Sequence, residues 1–297
     1  MPKKLLITGA SGFLGWNLCR FAQTKFDTVV GIVFNHSNPL SGIDFIKADL
    51  TRFTDIKRIL ADIRPDAVIH TAAMSQTNYC QLHPDESRKI NVEATSNLAG
   101  LCADRSIPFV FTSSDMVFNG LNPPYREEDP VSPVSVYGEQ KAEAEEAVLK
   151  NYPDAAVCRM ALMFGDAGEG KSFIQPWIKD MQEGRELRLF TDEFRTPLSG
   201  GDAARGLLLA LSEGKGLLHL GGPERLSRYE FGRMLREAVG LPEAKIVPST
   251  HASFKMAAPR PPDVSLDSSK AFALGFMPGR VEAELQSLEC ITGSNNA

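Results

Sequence analysis

Tyr137 and Lys141, in the run Val136-Tyr137-Gly138-Glu139-Gln140-Lys141, stand four residues apart. That spacing puts both on one face of a helix, one turn from each other. A free phenol has a pKa of about 10 and is a poor acid or base at neutral pH. An ammonium one turn away favours the phenolate and lowers that value. Alone, a Tyr-x-x-x-Lys match is a frequent coincidence. Here it follows Thr8-Gly9-Ala10-Ser11-Gly12-Phe13-Leu14-Gly15 and a hydroxyl-rich stretch, Phe111-Thr112-Ser113-Ser114-Asp115, that ends an apolar run. A glycine turn, a serine and a Tyr/Lys pair in that order are the parts of a nicotinamide-dependent oxidoreductase. Ser114 would position a substrate oxygen, with Ser113 and Thr112 as the other hydroxyl candidates. Tyr137 would protonate that oxygen as hydride reaches the carbonyl carbon, and Lys141 would also hold the nicotinamide ribose.

The three glycines Gly9, Gly12 and Gly15 recur every third residue between an apolar run and a helical pattern. Glycine lets a backbone approach a pyrophosphate closely, and the following helix turns free N–H groups toward the phosphates. Ser11, Phe13 and Leu14 of this turn are cofactor-contact candidates with the glycines. The end of the second apolar run selects between NAD and NADP. An acidic side chain there would bind the ribose hydroxyls and repel a 2′-phosphate. The chain reads Gly31-Ile32-Val33-Phe34-Asn35-His36-Ser37-Asn38, with neither acid nor arginine. Asn35, His36 and Ser37 can donate to a phosphate, so the expectation is NADP(H) over NAD(H).

These residues need a scaffold, and the first half of the chain has its rhythm. Strand patterns at 4–8, 28–33, 45–47, 66–70, 107–112 and 155–160 alternate with helical patterns at 12–24, 54–63, 84–104 and 134–150. Short Val- and Ile-rich strands separated by helices imply βαβ units, hence a parallel sheet covered on both faces. Right-handed crossovers make it a doubly wound dinucleotide-binding (Rossmann) fold. After Gly165 the rhythm loosens. A glycine-rich loop at 165–171 precedes helical patterns at 172–183, 202–212 and 227–239 and short strands at 187–190, 216–220 and 245–247. The expected division is a dinucleotide-binding domain over 1–164, a smaller α/β substrate lobe over 165–290 and a frayed tail over 291–297.

The 297 residues suffice for one large α/β unit or two joined lobes. A net charge of −5 argues against a general nucleic-acid binder. No apolar run approaches the ~18 residues of a membrane span. The N-terminus lacks the apolar core and cleavage site of a signal peptide. The five cysteines are scattered and odd in number, as in a reducing compartment, and the five histidines lack metal-ligand spacing. The expectation is a cytoplasmic, metal-free protein with a small-molecule substrate and no nucleic-acid or membrane partner; a homodimer is left open.

Nearly the whole chain resembles the extended short-chain dehydrogenases/reductases, and within them the dTDP-4-dehydrorhamnose reductase-like group. The glycine spacing is that superfamily's form. The group's Ser-Thr-Asp-Tyr-Val-Phe-x-Gly segment is here Ser113-Ser114-Asp115-Met116-Val117-Phe118-Asn119-Gly120. Further matches are His83-Pro84 with Asn91, the acidic run 125–130 with Pro133 before the Tyr–Lys helix, Arg159, Arg195-Thr196-Pro197 and 226–231. The resemblance implies a reductase acting on a keto sugar, nucleotide-linked. It implies that Asp49 and Leu50 flank the adenine and that Ala72 and Ala73 lie beside the cofactor. Ser75, Ser114, Asp115, Met116 and Arg195 would line the substrate side, Arg195 meeting a diphosphate; Asp115 could equally be a turn cap, and Arg159 could pair with substrate or form a structural salt bridge. Two departures stand out: Ser114 replaces the group's threonine, keeping the hydroxyl, and Met116 replaces its tyrosine, altering the pocket wall. Superfamily dehydratases carry Thr-Asp-Glu here; Met116 in place of their glutamate argues against dehydration. The alternatives are an NAD-dependent nucleotide-sugar epimerase and a non-catalytic, NADP-binding regulatory subunit.

Overall fold

The structure, a computed structural model, describes residues 4–36, 40–168 and 172–292. The chain opens with β1 (Lys4–Thr8), α1 (Phe13–Ala22), β2 (Thr28–Val33), β3 (Asp44–Lys47), α2 (Phe53–Ile63) and β4 (Ala67–His70). There follow α3 (Thr77–Leu82), α4 (Pro84–Arg88), a π-helical turn (Lys89–Ala94), α5 (Thr95–Ala103), β5 (Phe109–Ser114), α6 (Val136–Asn151) and β6 (Ala156–Met160). The remainder is β7 (Met163–Phe164), α7 (Ile174–Gln182), β8 (Leu187–Phe190), β9 (Phe194–Arg195), β10 (Leu198–Ser199), α8 (Gly200–Glu213) and β11 (Gly216–Leu220). It continues through β12 (Leu226–Ser227), α9 (Arg228–Ala238), β13 (Ile246–Ser249), α10 (Ser269–Ala273), α11 (Val281–Gln286) and α12 (Glu289–Thr292).

Seven strands form one sheet in the order β11-β6-β5-β4-β1-β2-β3, and every neighbouring pair in it is parallel. Alternation along each strand divides the core. Leu5, Ile7, Val29, Ile69, Val110 and Cys158 pack under α1 and α8. Leu6, Val30, Val68, Phe109, Phe111 and Val157 pack under α2, α5 and α6. The expected doubly wound α/β fold is present, and ligands in such sheets bind where the strand order reverses, at the carboxyl ends. Here β1 and β4 flank that reversal.

Three expectations are corrected. Residues 216–220, expected in the substrate lobe, pair with β6 as the outermost strand of the main sheet, and α8 covers that sheet's first face. The chain thus leaves the sheet after β6, builds β7 to β10, returns, and leaves again. Residues 84–104 are not one regular helix. The π turn rotates Asn91 inward, where its side chain accepts from Met74 N–H at 2.8 Å and donates to Gln140 Oε1 at 2.8 Å. Such insertions concentrate at functional sites, and Met74 lies on the cavity described below. Of the expected tail, Ile291 lies in α12 and is buried with Leu288 and Leu285, and 293–297 lie outside the described residues.

The second lobe has its own core, in which Phe164, Ile174, Leu189, Phe231, Leu235 and Leu285 meet. It rests on parallel pairing of β8 with β13 and on α7, α9 and α11. Among the described residues no helix is long and apolar enough to cross a membrane, and no cluster of His, Cys, Asp and Glu could hold a metal ion. Cys19, Cys80, Cys102 and Cys158 are buried free thiols.

Helix α6 approaches the turn after β5 so closely that a Cβ at Gly138 would fall 2.2 Å from the Met116 carbonyl oxygen. Backbone cannot give way as a flexible side chain can, so Gly138→Ala must push α6 outward. The expected cost is about 1–3 kcal/mol, read as a lower urea midpoint with an unchanged slope.

Candidate active site

A cavity of about 1090 Å³ runs along the carboxyl ends of the central strands and is closed on the far side by residues of the second lobe. At one end lies the glycine turn. Gly9 has φ of +66° and stands so near β4's exit that a Cβ there would be 2.7 Å from the Ala72 backbone. Gly12 starts α1 with no side-chain cap, leaving the first amides of that helix toward the cavity. Ser11, Phe13, Leu14, Gly15, Asp49, Leu50, Ala72 and Ala73 all line this end. Asp49 is held by Thr51 through its amide at 2.9 Å and its hydroxyl at 2.7 Å. Beyond β2, Phe34 and His36 line the cavity and Asn35 does not; Ser37 lies outside the described residues. An open cradle of backbone donors, with no acid on the segment that follows β2, fits a dinucleotide.

Farther along the cavity, Ser75, Ser114, Asp115, Met116, Tyr137 and Lys141 come together, as the sequence order anticipates. Ser114 ends β5 and caps the short 3-10 turn Asp115–Val117, accepting from Met116 N–H at 3.2 Å and donating to Asp115 Oδ1 at 3.1 Å. The cap is therefore Ser114 and not Asp115. Asp115 Oδ2 is buried with no hydrogen-bond partner, 3.8 Å from Arg195 Nε. Burial raises the Asp115 carboxyl to about 6, against the opposing pull of Arg195. Lys141 is 2% exposed, with Nζ 4.3 Å from the centroid of the Phe111 ring. Its burial brings the amine down to about 7, while Glu145 acts upward.

Tyr137 departs from expectation. Burial, then the negative charge of Asp115, pushes its phenol above the ordinary range, and the Ser114 hydrogen bond opposes this. The low dielectric penalises the phenolate more than a half-neutral amine can favour it. Its phenol is held protonated, so Tyr137 is not a ready base.

The second lobe supplies what the sequence reading missed. Glu193 is buried at the centre of three arginines and a histidine: Arg195 Nη2 at 3.5 Å, Arg228 Nε at 3.9 Å, Arg260 Nη1 at 3.9 Å and His251 Nε2 at 3.0 Å. Burial would raise the Glu193 carboxyl, but Arg195, Arg228, His251 and Arg260 together hold it below its usual range. Arg195 lies on an extended segment facing the cavity, as expected, yet its charge is already met by Glu193 and Asp115, and Nη1 donates to Phe194 O at 2.7 Å. It is therefore a weaker phosphate candidate than Arg228 and Arg260. Arg228 Nη1 and Arg260 Nε are buried without partners, and both residues line the cavity. Arg228 is also stacked over Phe173 and Trp177 at 4.0 and 4.6 Å. A signal for Arg260 was present in its setting, Pro259-Arg260-Pro261-Pro262, an extended run that cannot be helical. Arg159 is not on the cavity; it forms a buried salt bridge with Glu145 at 2.9 Å.

Six buried side-chain nitrogen or oxygen atoms among the described residues lack a hydrogen-bond partner, and four of them, on Ser113, Asp115, Arg228 and Arg260, belong to residues of this cavity. Buried polar groups are normally satisfied, so the concentration marks a place where a polar ligand completes the structure.

Comparison with known proteins agrees with this geometry. The RmlD substrate binding domain family matches residues 3–288. The methionine adenosyltransferase 2 subunit beta of Bos taurus is 31% identical over 92% of this chain and 83% of its own length. A probable low-salt glycan biosynthesis reductase, Agl14 of Haloferax volcanii, is 30% identical over 95% of this chain and 96% of its own. The crystal structure of a dTDP-4-dehydrorhamnose reductase from Clostridium acetobutylicum superposes with a TM-score of 0.84 at 26% identity, covering 98% of this chain and 99% of that one. The chain belongs to the RmlD substrate binding domain family, the dTDP-4-dehydrorhamnose reductase-like group of the extended short-chain dehydrogenases/reductases.

Proposed function

We propose that the chain is an NADP(H)-dependent reductase that delivers hydride to a keto group of a nucleotide-linked sugar. The observation that carries this reading is the convergence of Ser114, Tyr137 and Lys141 on one cavity with the glycine turn at its other end. A bound nicotinamide supplies the hydride. Tyr137, whose phenol burial keeps protonated, donates that proton to the substrate oxygen. Ser114 orients that oxygen, exchanging its bond to Asp115 for one to the substrate. Lys141 holds the nicotinamide ribose with a charge that the buried site only just sustains. Gly9, Ser11, Gly12 and Gly15 receive the pyrophosphate, Asp49 and Leu50 flank the adenine, and Ala72 and Ala73 form the wall beside it. The C-terminal lobe receives the sugar, with Arg228 and Arg260 facing its anionic group.

A second reading, a non-catalytic NADP-binding regulatory subunit, is prompted only by the Bos taurus relative being a subunit of another enzyme. An intact Ser114, Tyr137 and Lys141 supports catalysis instead, and the assay below separates the two.

Tyr137→Phe keeps the ring and removes the proton donor. NADPH oxidation with nucleotide-linked 4-keto sugars is expected to fall by about 10²–10⁴-fold, with NADPH affinity nearly unchanged. Wild-type protein that binds NADPH but turns over no keto sugar would instead support the regulatory reading. Fluorescence titration is expected to show tighter binding of NADPH than of NADH, because no acid follows β2. His36→Asp should weaken NADPH and spare NADH; equal affinities in the wild type would overturn the preference. Arg228→Ala should raise the KM for a diphosphate-bearing substrate about ten- to a hundredfold, with cofactor affinity unaffected. An unchanged KM would remove the support for the nucleotide-linked part of the reading.

A further inference from the structure

Helix α6 carries four glutamates, Glu139, Glu143, Glu145 and Glu146, and Glu145 alone of them is buried. Tyr137, Lys141 and Glu145 follow one another at intervals of four on the inward face, 9%, 2% and 4% exposed. An ionised carboxylate in such a place needs a partner. Arg159 on β6 supplies it bidentately, with Nε 3.0 Å from Oε1 and Nη2 2.9 Å from Oε2. The guanidinium is fixed in turn: it lies 5.0 Å from the Phe118 ring centroid, and Nη1 is 3.3 Å from His219 Nε2. His219 Nδ1 is 3.1 Å from the Tyr125 carbonyl oxygen and must donate to it, so Nε2 is the bare nitrogen that accepts from Arg159. The clamp ties α6 to β6 and β11, behind the catalytic face.

We infer that Glu145, held by Arg159, is a positioning residue that keeps the buried Lys141 amine in its ammonium form; the inference rests on the reading of Lys141 as the lysine that holds the cofactor. The groups facing Lys141 leave few other sources of negative charge. On α6 they are Tyr137 and Glu145. From α3 comes Cys80, a thiol that burial keeps protonated. From β4 comes His70, which burial brings down to about 3 and which hydrogen-bonds Thr8 Oγ1 at 2.6 Å and Thr95 Oγ1 at 2.9 Å. β5 presents the Phe111 ring. Asp115 acts on Tyr137, whereas Glu145 is the carboxylate that acts on Lys141. The bond to Arg159 therefore has two consequences. It makes the Glu145 charge tolerable in the core, and it holds that charge one helical turn from the amine.

The test reads Lys141 directly in the cofactor-free protein, by ¹³Cε NMR of labelled lysine, with the resonance assigned through Lys141→Arg. Its midpoint in the wild type is expected near the value of about 7 set by burial against Glu145. In Glu145→Gln the midpoint is expected to fall by roughly one unit or more, and in Glu145→Asp, which keeps the charge, to stay close to wild type. A Gln variant that titrates with the wild type overturns the inference. Because Glu145→Gln leaves Arg159 uncompensated, Glu145→Gln/Arg159→Gln serves if the single variant does not fold. It removes both charges, keeps amide hydrogen bonding, and carries the same expected direction. A second readout is the pH dependence of NADPH affinity, whose loss on the basic side should move down with the Lys141 midpoint. If the midpoint moves and NADPH affinity does not follow, the charge-holding role stands and the cofactor reading of Lys141 falls. A uniform loss of affinity at every pH, with an unmoved midpoint, would make the clamp purely structural.

Discussion

Helix α6 lies against the carboxyl end of β5 because residue 138 has no side chain, and that contact governs the rest of the site. It brings the Met116 carbonyl within van der Waals reach of the helix backbone. With the two backbones so close, little of the inward face of α6 is open to solvent, and Tyr137, Lys141 and Glu145 are all buried. Burial of this kind penalises whichever form of each group is charged. The phenol is kept protonated, the amine is brought to the edge of neutrality, and the carboxylate survives because Arg159 grips it. One packing contact thereby sets the acid–base condition of three residues.

The second lobe solves a different electrostatic problem. Three arginines and a histidine gather around Glu193 facing the cavity. A lone cluster of that charge would repel itself in a low-dielectric wall. Glu193 offsets part of it and Asp115 meets Arg195 from the other side. What remains uncompensated is directional: donors of Arg228 and Arg260 that have no protein acceptor. A carboxylate at the centre of an arginine group can thus be the feature that makes an anion site stable before any anion arrives.

The first six strands and α1, α2 and α6 were legible in the sequence because most of them repeat a simple pattern: an apolar strand of four to six residues, a turn, a helix; α3 was not read, and 84–104 was read as one helix. The glycine turn, Ser114, Tyr137 and Lys141 were legible for the same reason, since all lie at the joints of that pattern. The second lobe was not. Its strands β7, β9, β10 and β12 have two residues each, too short for any periodicity. β11 looked like a lobe strand because only pairing with β6 across 60 residues reveals its place. The π turn at 89–94 leaves no mark in apolar spacing either; the residue it turns inward, Asn91, is polar, and polar residues are read by default as exposed. The direction of the Tyr137 shift was misread because charge spacing along a helix is visible in a sequence, whereas desolvation depends on what packs above it. Arg228 and Arg260 escaped as site residues because their common partner, Glu193, lies on neither of their segments.

The unpartnered atoms of Ser113, Asp115, Arg228 and Arg260 bear on stability as well as recognition. Each buried group without a hydrogen bond costs about 1–3 kcal/mol relative to a satisfied one. The surrounding structure fixes the arrangement from several sides: two sheet faces, the Glu145–Arg159 clamp and the Glu193 hub. A ligand that supplies the missing partners removes this cost on binding, so its affinity includes the relief of strain already present. That relief is available only to a ligand reaching both ends of the group. Ser113 and Asp115 lie at the end of the central sheet, and Arg228 and Arg260 lie in the second lobe. A simple ketone, which only accepts, could meet the Ser113 hydroxyl but neither the Asp115 carboxylate oxygen nor the arginines. A sugar carrying an anionic extension can satisfy both, and this two-ended demand is the physical reason for preferring an extended, charged substrate over a small carbonyl compound.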